Sequence, residues 1–288
     1  MKLTARAIIL CIFALLTGCT GTSSNLCCVS NTGETELQGS TVKIMTLNVA
    51  HGRRQNVNQL FVSKEKTYKN LNLIAGLLRK VDADAVALQE ADGRSRWSGG
   101  FNHVEYLSDK TGWPNYVHGL HADGWLYSYG TAILSRHKMA DSSIHNFDAS
   151  FPTTTKGFVA AKFNWLRGDT LTPLTVISIH LDFSRKSVRE KQITELTIFL
   201  EQINGPFILS GDFNSKWSAK DSALRDLVER LKLQVYEPSE AGMGTYKSTD
   251  NGRLDWIILS PELEFVNYET RPETVSDHLA VVAEIGHR

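Results

Sequence analysis

The sequence predicts an α/β layered sandwich with helices packed on the outside of β-sheet. Three observations predict it. Short β-rich apolar runs stop abruptly at polar residues, stretches with helical periodicity separate these runs, and the 288-residue chain is 42% hydrophobic with no shift in composition over residues 41–288. A stretch of that length without a linker or a repeat is expected to form one domain.

The predicted strands share one feature, which is that polar side chains stand at their ends. These junctions are Val42–Leu47 before Asn48, Ala83–Leu88 before Gln89 and Glu90, Leu174–Ile179 before His180, Phe207–Ser210 before Asp212 and Asn214, Asp255 opening Asp255–Leu259, and Asp277 with His278 before Leu279–Glu284. Ligand sites in α/β proteins gather at strand ends. So many acids placed together are unfavourable without a cation, so the pattern predicts a polar cleft that binds one.

The residue types in this cleft indicate which cation it would hold. Residues two apart on a strand face the same side, so Asp212 and Asn214 should point together, as should His180 and Asp182. The group is rich in oxygen and has no thiol, which favours Mg²⁺, Mn²⁺ or Ca²⁺ over a structural Zn²⁺. The role of Asp182 stays open.

Helices are predicted between the strands. Residues 64–80 place Leu71, Ile74 and Leu78 on one stripe. A capping box at residues 187–190 predicts the start of a second helix, and residues 218–221 are another possible helix start. Between residues 113 and 163, turns and alternating strands predict antiparallel sheet.

The N-terminus has the pattern of an export signal. Lys2 and Arg6 precede the apolar run Ala7–Leu16, and Leu16-Thr-Gly-Cys19 resembles the lipobox of bacterial lipoproteins. That resemblance implies cleavage before Cys19 and lipidation of its thiol, and Thr20 then favours the outer membrane of the cell envelope. Residues 1–18 are therefore predicted to be the signal peptide and 19–40 a flexible tether. A plain secretory signal with an incidental cysteine is the alternative.

The positions of the cysteines and the net charge limit which kinds of protein this chain can be. All four cysteines precede residue 29, so residues 41–288 contain no disulfide. The neighbours Cys27 and Cys28 could pair with another chain, carry a second acyl group or have no role. Lys+Arg and Asp+Glu number 31 each, and a protein that holds nucleic acid by electrostatics alone is usually clearly basic.

Six sequence blocks, in this order, resemble the endonuclease/exonuclease/phosphatase superfamily. They are Leu-Asn48, Gln-Glu90, His180-Leu, Gly-Asp-Phe-Asn214, Leu-Asp255 and Ser-Asp-His278. The superfamily includes DNase I-like nucleases, bacterial sphingomyelinases and inositol polyphosphate 5-phosphatases. The resemblance implies a four-layer α/β/β/α sandwich over residues 41–288, with the catalytic cleft at one end.

The same resemblance implies roles for individual residues. It assigns metal binding to three residues: Asn48, Glu90 and Asp277. It assigns catalysis to five others: Asp212 to orient or deprotonate water, Asn214 as a phosphate-binding amide, His278 to stabilise the pentacoordinate phosphate, Asp255 to orient His278, and His180 to help protonate the leaving oxygen. Tyr129 stands near the position of a cleft tyrosine in some members. The other seven histidines lack ligand spacing and are predicted to lie mostly on the surface: His51, His103, His118, His121, His137, His145 and His287.

These observations predict a metal-dependent phosphoesterase tethered to a membrane. Three substrates compete: nucleic acid, a phospholipid headgroup, and a small phosphorylated metabolite cleaved as a monoester. The alternative from another class is a catalytically inactive, lipid-anchored binding protein. The oligomeric state stays open.

Overall fold

Two mixed β-sheets lie face to face, with two helices against the outer surface of each. The computed structural model describes residues 26–220, 222–239, 242–247 and 252–288, with side chains from residue 29 onward. The strands are β1 (Leu26–Asn31), β2 (Leu37–Gln38), β3 (Thr41–Asn48), β4 (Ala85–Asp92), β5 (Asn115–Asp123), β6 (Ser128–Ser135), β7 (Met139–Asn146), β8 (Gly157–Arg167), β9 (Thr170–His180), β10 (Phe207–Asp212), β11 (Gln234–Val235), β12 (Asp255–Leu259), β13 (Leu263–Thr270) and β14 (Val281–His287). The helices are α1 (Lys64–Val81), α2 (His103–Thr111), α3 (Lys186–Leu200) and α4 (Ala223–Leu231).

The first sheet has the strand order β1-β5-β6-β4-β3-β14-β13, and the second has β11-β12-β10-β9-β8-β2 with β7 also paired to β8. The antiparallel pairs β5–β6 and β7–β8 confirm the antiparallel sheet predicted for residues 113–163. None of the helices in the described part of the chain is both long and apolar enough to span a bilayer.

Three apolar layers explain why the two sheets stack. Along β3, Val42 and Ile44 face the second sheet, whereas Met45 and Leu47 face α1. The strands of the second sheet alternate in the same way, with Ile208 towards the first sheet and Leu209 towards α3 and α4. Because both faces of each sheet are buried, the chain forms the four-layer α/β/β/α sandwich that the sequence predicts.

Two predicted helix starts are wrong. Helix α3 begins at Lys186, and the side chain of the preceding Arg185 makes no capping hydrogen bond. The Asp182 carboxylate accepts the backbone N–H of Ser184 and of Arg185, so it turns the chain into the helix before the expected capping box. Helix α4 is capped by Ser222, which accepts the N–H of Arg225, and so begins after residues 218–221.

Part of the predicted flexible tether belongs to the folded domain. Strand β1 pairs with β5, and β2 pairs with β8. The Asn31 side chain donates to the Met139 carbonyl and accepts the Met139 N–H, so it ties the end of β1 to the start of β7. The signal peptide and Cys19 lie outside the described residues, as do the side chains of Cys27 and Cys28.

Candidate active site

Three of the candidate residues form a row across the second sheet. His180 of β9 lies directly opposite Asp212 of β10, and Asp212 lies directly opposite Asp255 of β12. Directly paired residues share a face, and this face continues the layer between the sheets. The strand ends therefore deliver an imidazole and two carboxylates to one side.

His278 completes this row from a separate segment. Its Nδ1 lies 2.8 Å from Asp255 Oδ2, and its Nε2 lies 3.8 Å from Asp212 Oδ2. Burial lowers the pKa of His278, but the carboxylates of Asp255 and Asp212 outweigh burial and raise it to about 10. His278 is therefore an imidazolium at neutral pH.

Asp212 is the carboxylate shared by the whole group. Its Oδ2 accepts a hydrogen bond from the Asn48 amide at 3.1 Å and lies 3.6 Å from His180 Nε2. Burial and the neighbouring Asp255 carboxylate raise the pKa of Asp212 to about 7. A carboxylate with a pKa near neutrality is suited to accept a proton from water.

His180 differs from His278 in its charge. It is buried, and both burial and the nearby Lys156 ammonium lower its pKa well below the usual value. Its imidazole is therefore neutral at neutral pH and can donate one hydrogen bond, whereas His278 is cationic.

Glu90 lies in a β-bulge at the end of β4. The pairing of β4 with β6 slips between Leu88 and Ala91, and Glu90 has a left-handed backbone with φ of 51°. A non-glycine residue in such a conformation costs about 1–3 kcal/mol and is typical of functional sites. The bulge turns the Glu90 carboxylate into the cleft beside Arg53.

A histidine that the sequence interpretation placed on the surface contacts Glu90. His51 Nε2 lies 3.1 Å from Glu90 Oε2, and its Nδ1 lies 2.7 Å from Asp92 Oδ1. Burial lowers the pKa of His51, but Asp92 and Glu90 raise it above the usual value. Burial raises the pKa of Glu90, but the positive charges of His51 and Lys156 hold it well below the usual range.

Glu90 and Asp277, two of the predicted metal ligands, meet at one guanidinium. Arg53 Nη2 lies 2.6 Å from Asp277 Oδ2, and Nη1 lies 3.4 Å from Glu90 Oε2. The two carboxylates thus converge on a single cationic group, so their position and oxygen chemistry fit a divalent cation. Asn48, the third predicted ligand, donates to Asp212 and accepts the Ala50 N–H through its Oδ1. Asn48 is therefore tied to Asp212 by its amide nitrogen and to the chain after β3 by its amide oxygen.

The side chains of Asp212, Asp255 and His278 have ligand atoms within 4.8 Å of one another, which is close enough to hold a metal. His278 Nδ1 already bonds Asp255, and the imidazole is protonated, so a proton occupies this group at neutral pH. Both this group and the pair Glu90 and Asp277 therefore offer oxygen ligands to a cation.

Asn214 and Asp182 are held by the backbone around them. Asn214, with φ of 47°, donates its amide to the Leu181 carbonyl, and its N–H bonds Asp212 Oδ1. The Asp182 carboxylate accepts hydrogen bonds from Ser184, Arg185 and Thr153, so it ties two loops together. Asp182 therefore positions the loops beside the cleft.

Most of these side chains line one cavity of about 390 Å³. The cavity wall includes six of the eight predicted cleft residues: Glu90, His180, Asp212, Asn214, Asp277 and His278. Asn48 and Asp255 are buried and contact Asp212 and His278 respectively. The convergence that the strand-end pattern predicts is therefore present.

Sequence reasoning missed three residues of the site: His51, Arg53 and Lys156. His51 and Arg53 follow β3 within a few residues of Asn48, so the strand-end pattern could have included them. Lys156 is buried, and its ammonium lies 5.6 Å from the centre of the Tyr129 ring. The prediction of surface histidines is also wrong for four: His51, His103, His118 and His121 are buried.

Comparisons with known proteins identify the family and the fold. A family model described as the endonuclease/exonuclease/phosphatase family matches residues 45–278. Similar solved structures include a family protein from Leptotrichia buccalis (20% identity, 85% of this chain and 99% of that chain, TM-score 0.66) and a mannosyl-6-phosphatase from Bacteroides thetaiotaomicron (17%, 85% and 99%, 0.62). The human Nocturnin catalytic domain with bound sulfate is also similar (18%, 88% and 96%, 0.63).

No curated protein sequence matches the chain. At these identities the solved structures establish a shared fold. The family model spans most of the chain, from β3 to His278, and so covers every strand end in the cleft. The chain belongs to the endonuclease/exonuclease/phosphatase family.

Proposed function

We propose that this protein is a divalent-metal-dependent hydrolase of phosphate esters, tethered to the cell envelope through a lipid on Cys19. The observation that carries the hydrolase is the position of Asp212, whose Oδ2 lies near two imidazoles, 3.6 Å from the neutral His180 and 3.8 Å from the cationic His278. A proton acceptor beside a fixed cationic donor is what the attack of water on a phosphate ester needs.

Each residue has a task in this reaction. Asp212 accepts the proton of the attacking water, and Asn48 orients the receiving oxygen. The His278 imidazolium donates to a phosphate oxygen on which charge develops, and Asp255 holds its ring and tautomer. His180 donates a hydrogen bond to the leaving oxygen as its bond to phosphorus breaks. That oxygen takes a proton from solvent water, and Asp212 returns its own proton to solvent.

On the other side of the cleft, Glu90 and Asp277 would hold Mg²⁺, Mn²⁺ or Ca²⁺. A divalent cation there supplies positive charge that offsets the charge developing on the phosphate. Arg53, which contacts both carboxylates, would turn towards the substrate phosphate, because a guanidinium pairs well with phosphate oxygens.

The test is hydrolysis by the full chain after chelation and after addition of each cation. The substrates are bis(p-nitrophenyl) phosphate, p-nitrophenyl phosphate, mannose 6-phosphate, plasmid DNA and sphingomyelin vesicles. The sugar phosphate is included because one structural neighbour is named a mannosyl-6-phosphatase. We expect at least one ester to be cleaved only when a cation is present, and an Asp212→Asn control to be inactive.

Two results would contradict the proposal. Hydrolysis that persists unchanged in chelator would exclude the role of the metal. Failure to cleave any of the esters, together with no heat of Mn²⁺ binding in calorimetry, would favour the inactive, lipid-anchored binding protein. For the anchor, metabolic labelling with a radioactive fatty acid should mark the parent and not Cys19→Ser.

A further inference from the structure

Exposed apolar side chains gather around the mouth of the cleft. Six large apolar side chains on four loops form what we term the apolar rim: Val57, Leu60, Phe61, Trp125, Phe151 and Phe183. Val57 is 100% exposed, Phe151 89% and Phe61 85%. Several exposed large apolar side chains at one end of a domain indicate an interaction site, whereas isolated exposed apolar residues are ordinary.

All four loops leave the sheets at the cleft end. The segment with Val57, Leu60 and Phe61 follows Asn48 at the end of β3. Trp125 lies in the β5–β6 turn, next to the pairing of Tyr129 with Asp92. Phe151 and Phe183 lie beyond the paired residues Gly157 and His180. The other exposed large apolar residues of the described chain lie apart from this end: Val29, Leu73, Leu171, Ile198 and Val266.

The loops that carry the apolar rim are held in place by hydrogen bonds. Asp182 bonds Thr153 and the N–H of Arg185, and the Arg185 guanidinium donates to the carbonyls of Ser150 and Phe151. In the first loop, Asn58 caps a short helical turn by accepting the Leu60 N–H. The apolar side chains are thus presented on fixed loops, which lowers the entropy cost of binding a surface.

The loops that carry or adjoin the apolar rim contain more cationic than acidic side chains. These loops, residues 49–63, 93–102, 124–127, 147–156 and 183–185, contain six cationic side chains and one acidic side chain. Arg53 pairs with Glu90 and Asp277, and Lys156 is buried. The exposed cations beside the apolar rim are therefore Arg54, Arg94 and Arg96. The whole chain has no net charge, so this is a local asymmetry. Apolar side chains interleaved with cations match the boundary between acyl chains and anionic headgroups of a phospholipid bilayer.

The direction in which the chain enters the domain favours the same surface. Strand β1 runs antiparallel to β5, whose far end leads into the Trp125 turn, so the chain enters from the cleft end. Six residues lie between Cys19 and Leu26, so the seven Cα–Cα steps from one to the other span at most about 25 Å when fully extended. A lipid on Cys19 would therefore hold the cleft end, and not the opposite end, close to the bilayer.

From these observations we propose that the apolar rim contacts the phospholipid bilayer that holds the lipid anchor, so that the cleft opens onto the membrane and takes a phospholipid headgroup phosphodiester as substrate. This deepens the proposed function and depends on it. Aromatic side chains also stack on nucleic acid bases, but Val57 and Leu60 have no ring for stacking, and the aliphatic part of the rim suits acyl chains.

The test uses the full lipidated chain, reconstituted in vesicles of phosphatidylcholine and phosphatidylglycerol. Brominated acyl chains quench tryptophans that enter the bilayer. We expect quenching in the parent and loss of more than about half of it in Trp125→Phe, since the indole sits at the headgroup boundary. The triple variant Phe61→Ser, Trp125→Phe, Phe151→Ser should hydrolyse vesicle phospholipid at least about 10-fold more slowly and a soluble diester at the parent rate.

A matched control removes exposed apolar side chains away from the cleft. Leu171→Ser with Ile198→Ser should leave both vesicle quenching and phospholipid hydrolysis unchanged. Quenching that is identical in the parent and Trp125→Phe would overturn the proposal, as would a triple variant that loses DNA cleavage and keeps phospholipid hydrolysis. If the parent protein cleaved neither the phospholipid nor the soluble diester while its tryptophans were still quenched, that result would instead contradict the proposed function.

Discussion

Two side-chain triplets, each an imidazole between two carboxylates, lie on opposite walls of the cleft. In the first, Asp92 and Glu90 flank His51, and in the second, Asp255 and Asp212 flank His278. Both pairs of carboxylates raise the pKa of the histidine between them. The arrangement is the same, but the carboxylate that faces the cleft differs between the two.

The difference follows from the neighbours of the cleft carboxylate. Glu90 lies among cations, including Arg53 and Lys156, which keep it ionised and able to bind a metal. Burial and the neighbouring Asp255 carboxylate raise the pKa of Asp212 to about 7, which suits it to the proposed role of proton acceptor. Under the proposed function, one pattern of residues would therefore serve two tasks, because the surrounding charges differ.

The largest expected effect separates these two carboxylates. Glu90→Gln and Asp212→Asn should each lower hydrolysis of a soluble diester at least about 100-fold. Raising the Mn²⁺ concentration should restore part of the activity of Glu90→Gln, because its defect is in metal binding, and none of the activity of Asp212→Asn. Steady-state rates over a range of Mn²⁺ concentrations measure this, and equal rescue of both variants would remove the distinction.

A smaller effect is expected from the carboxylates behind the imidazoles. Asp255→Asn removes the charge that raises the pKa of His278, so the imidazolium should be lost at a lower pH than in the parent. We expect a loss of about 10- to 100-fold at neutral pH and an alkaline limb of the rate profile shifted to lower pH. Asp92→Asn is the matched change in the triplet around His51, and it should leave the alkaline limb of the rate profile in place.

Substitutions of the two histidines should change different quantities: the metal affinity for His51 and the turnover number for His278. His51→Gln should weaken Mn²⁺ binding about 10-fold in calorimetry, because His51 orients the Glu90 carboxylate, with little change of kcat at saturating metal. His278→Gln should lower kcat and change the Mn²⁺ affinity little. A His51→Gln variant with parent affinity and low kcat would place His51 in the chemical step instead.

The smallest effect concerns imidazoles without a carboxylate partner. Burial lowers the pKa of His118 and of His121 to about 4, so both stay neutral in the folded protein. The unfolded chain takes up these protons below its ordinary pKa of about 6.5, so stability should fall as pH falls from about 6.5 towards 4. Each histidine should cost about 2 kcal/mol between pH 7 and pH 5 in urea denaturation. His118→Gln should flatten the profile, and an unchanged slope would contradict the burial effect.

The residues that the strand-end pattern brought together were predictable because the pattern is local. An apolar run ending in Asp212 or Glu90 indicates a buried strand with a polar end, whatever the rest of the chain does. The strand and helix patterns predicted an α/β layered sandwich with helices outside, and the family resemblance implied that it has four layers. The helix starts were less predictable, because several nearby residues could cap each helix. In the structure Asp182 accepts the Arg185 N–H and Ser222 accepts the Arg225 N–H, whereas Ser187 looks like an equally good cap in the sequence.

The sequence by itself determined the family, the sandwich and which carboxylates and imidazoles approach one another. Only the tertiary structure decided that His51 is buried against Glu90, that Glu90 lies in a bulge, and that His278 is charged while His180 is neutral. It also decided that six exposed apolar side chains surround one cleft. The reason is physical: strand alternation depends on neighbours in the chain, whereas a pKa, a bulge or a surface patch depends on groups that meet only in space.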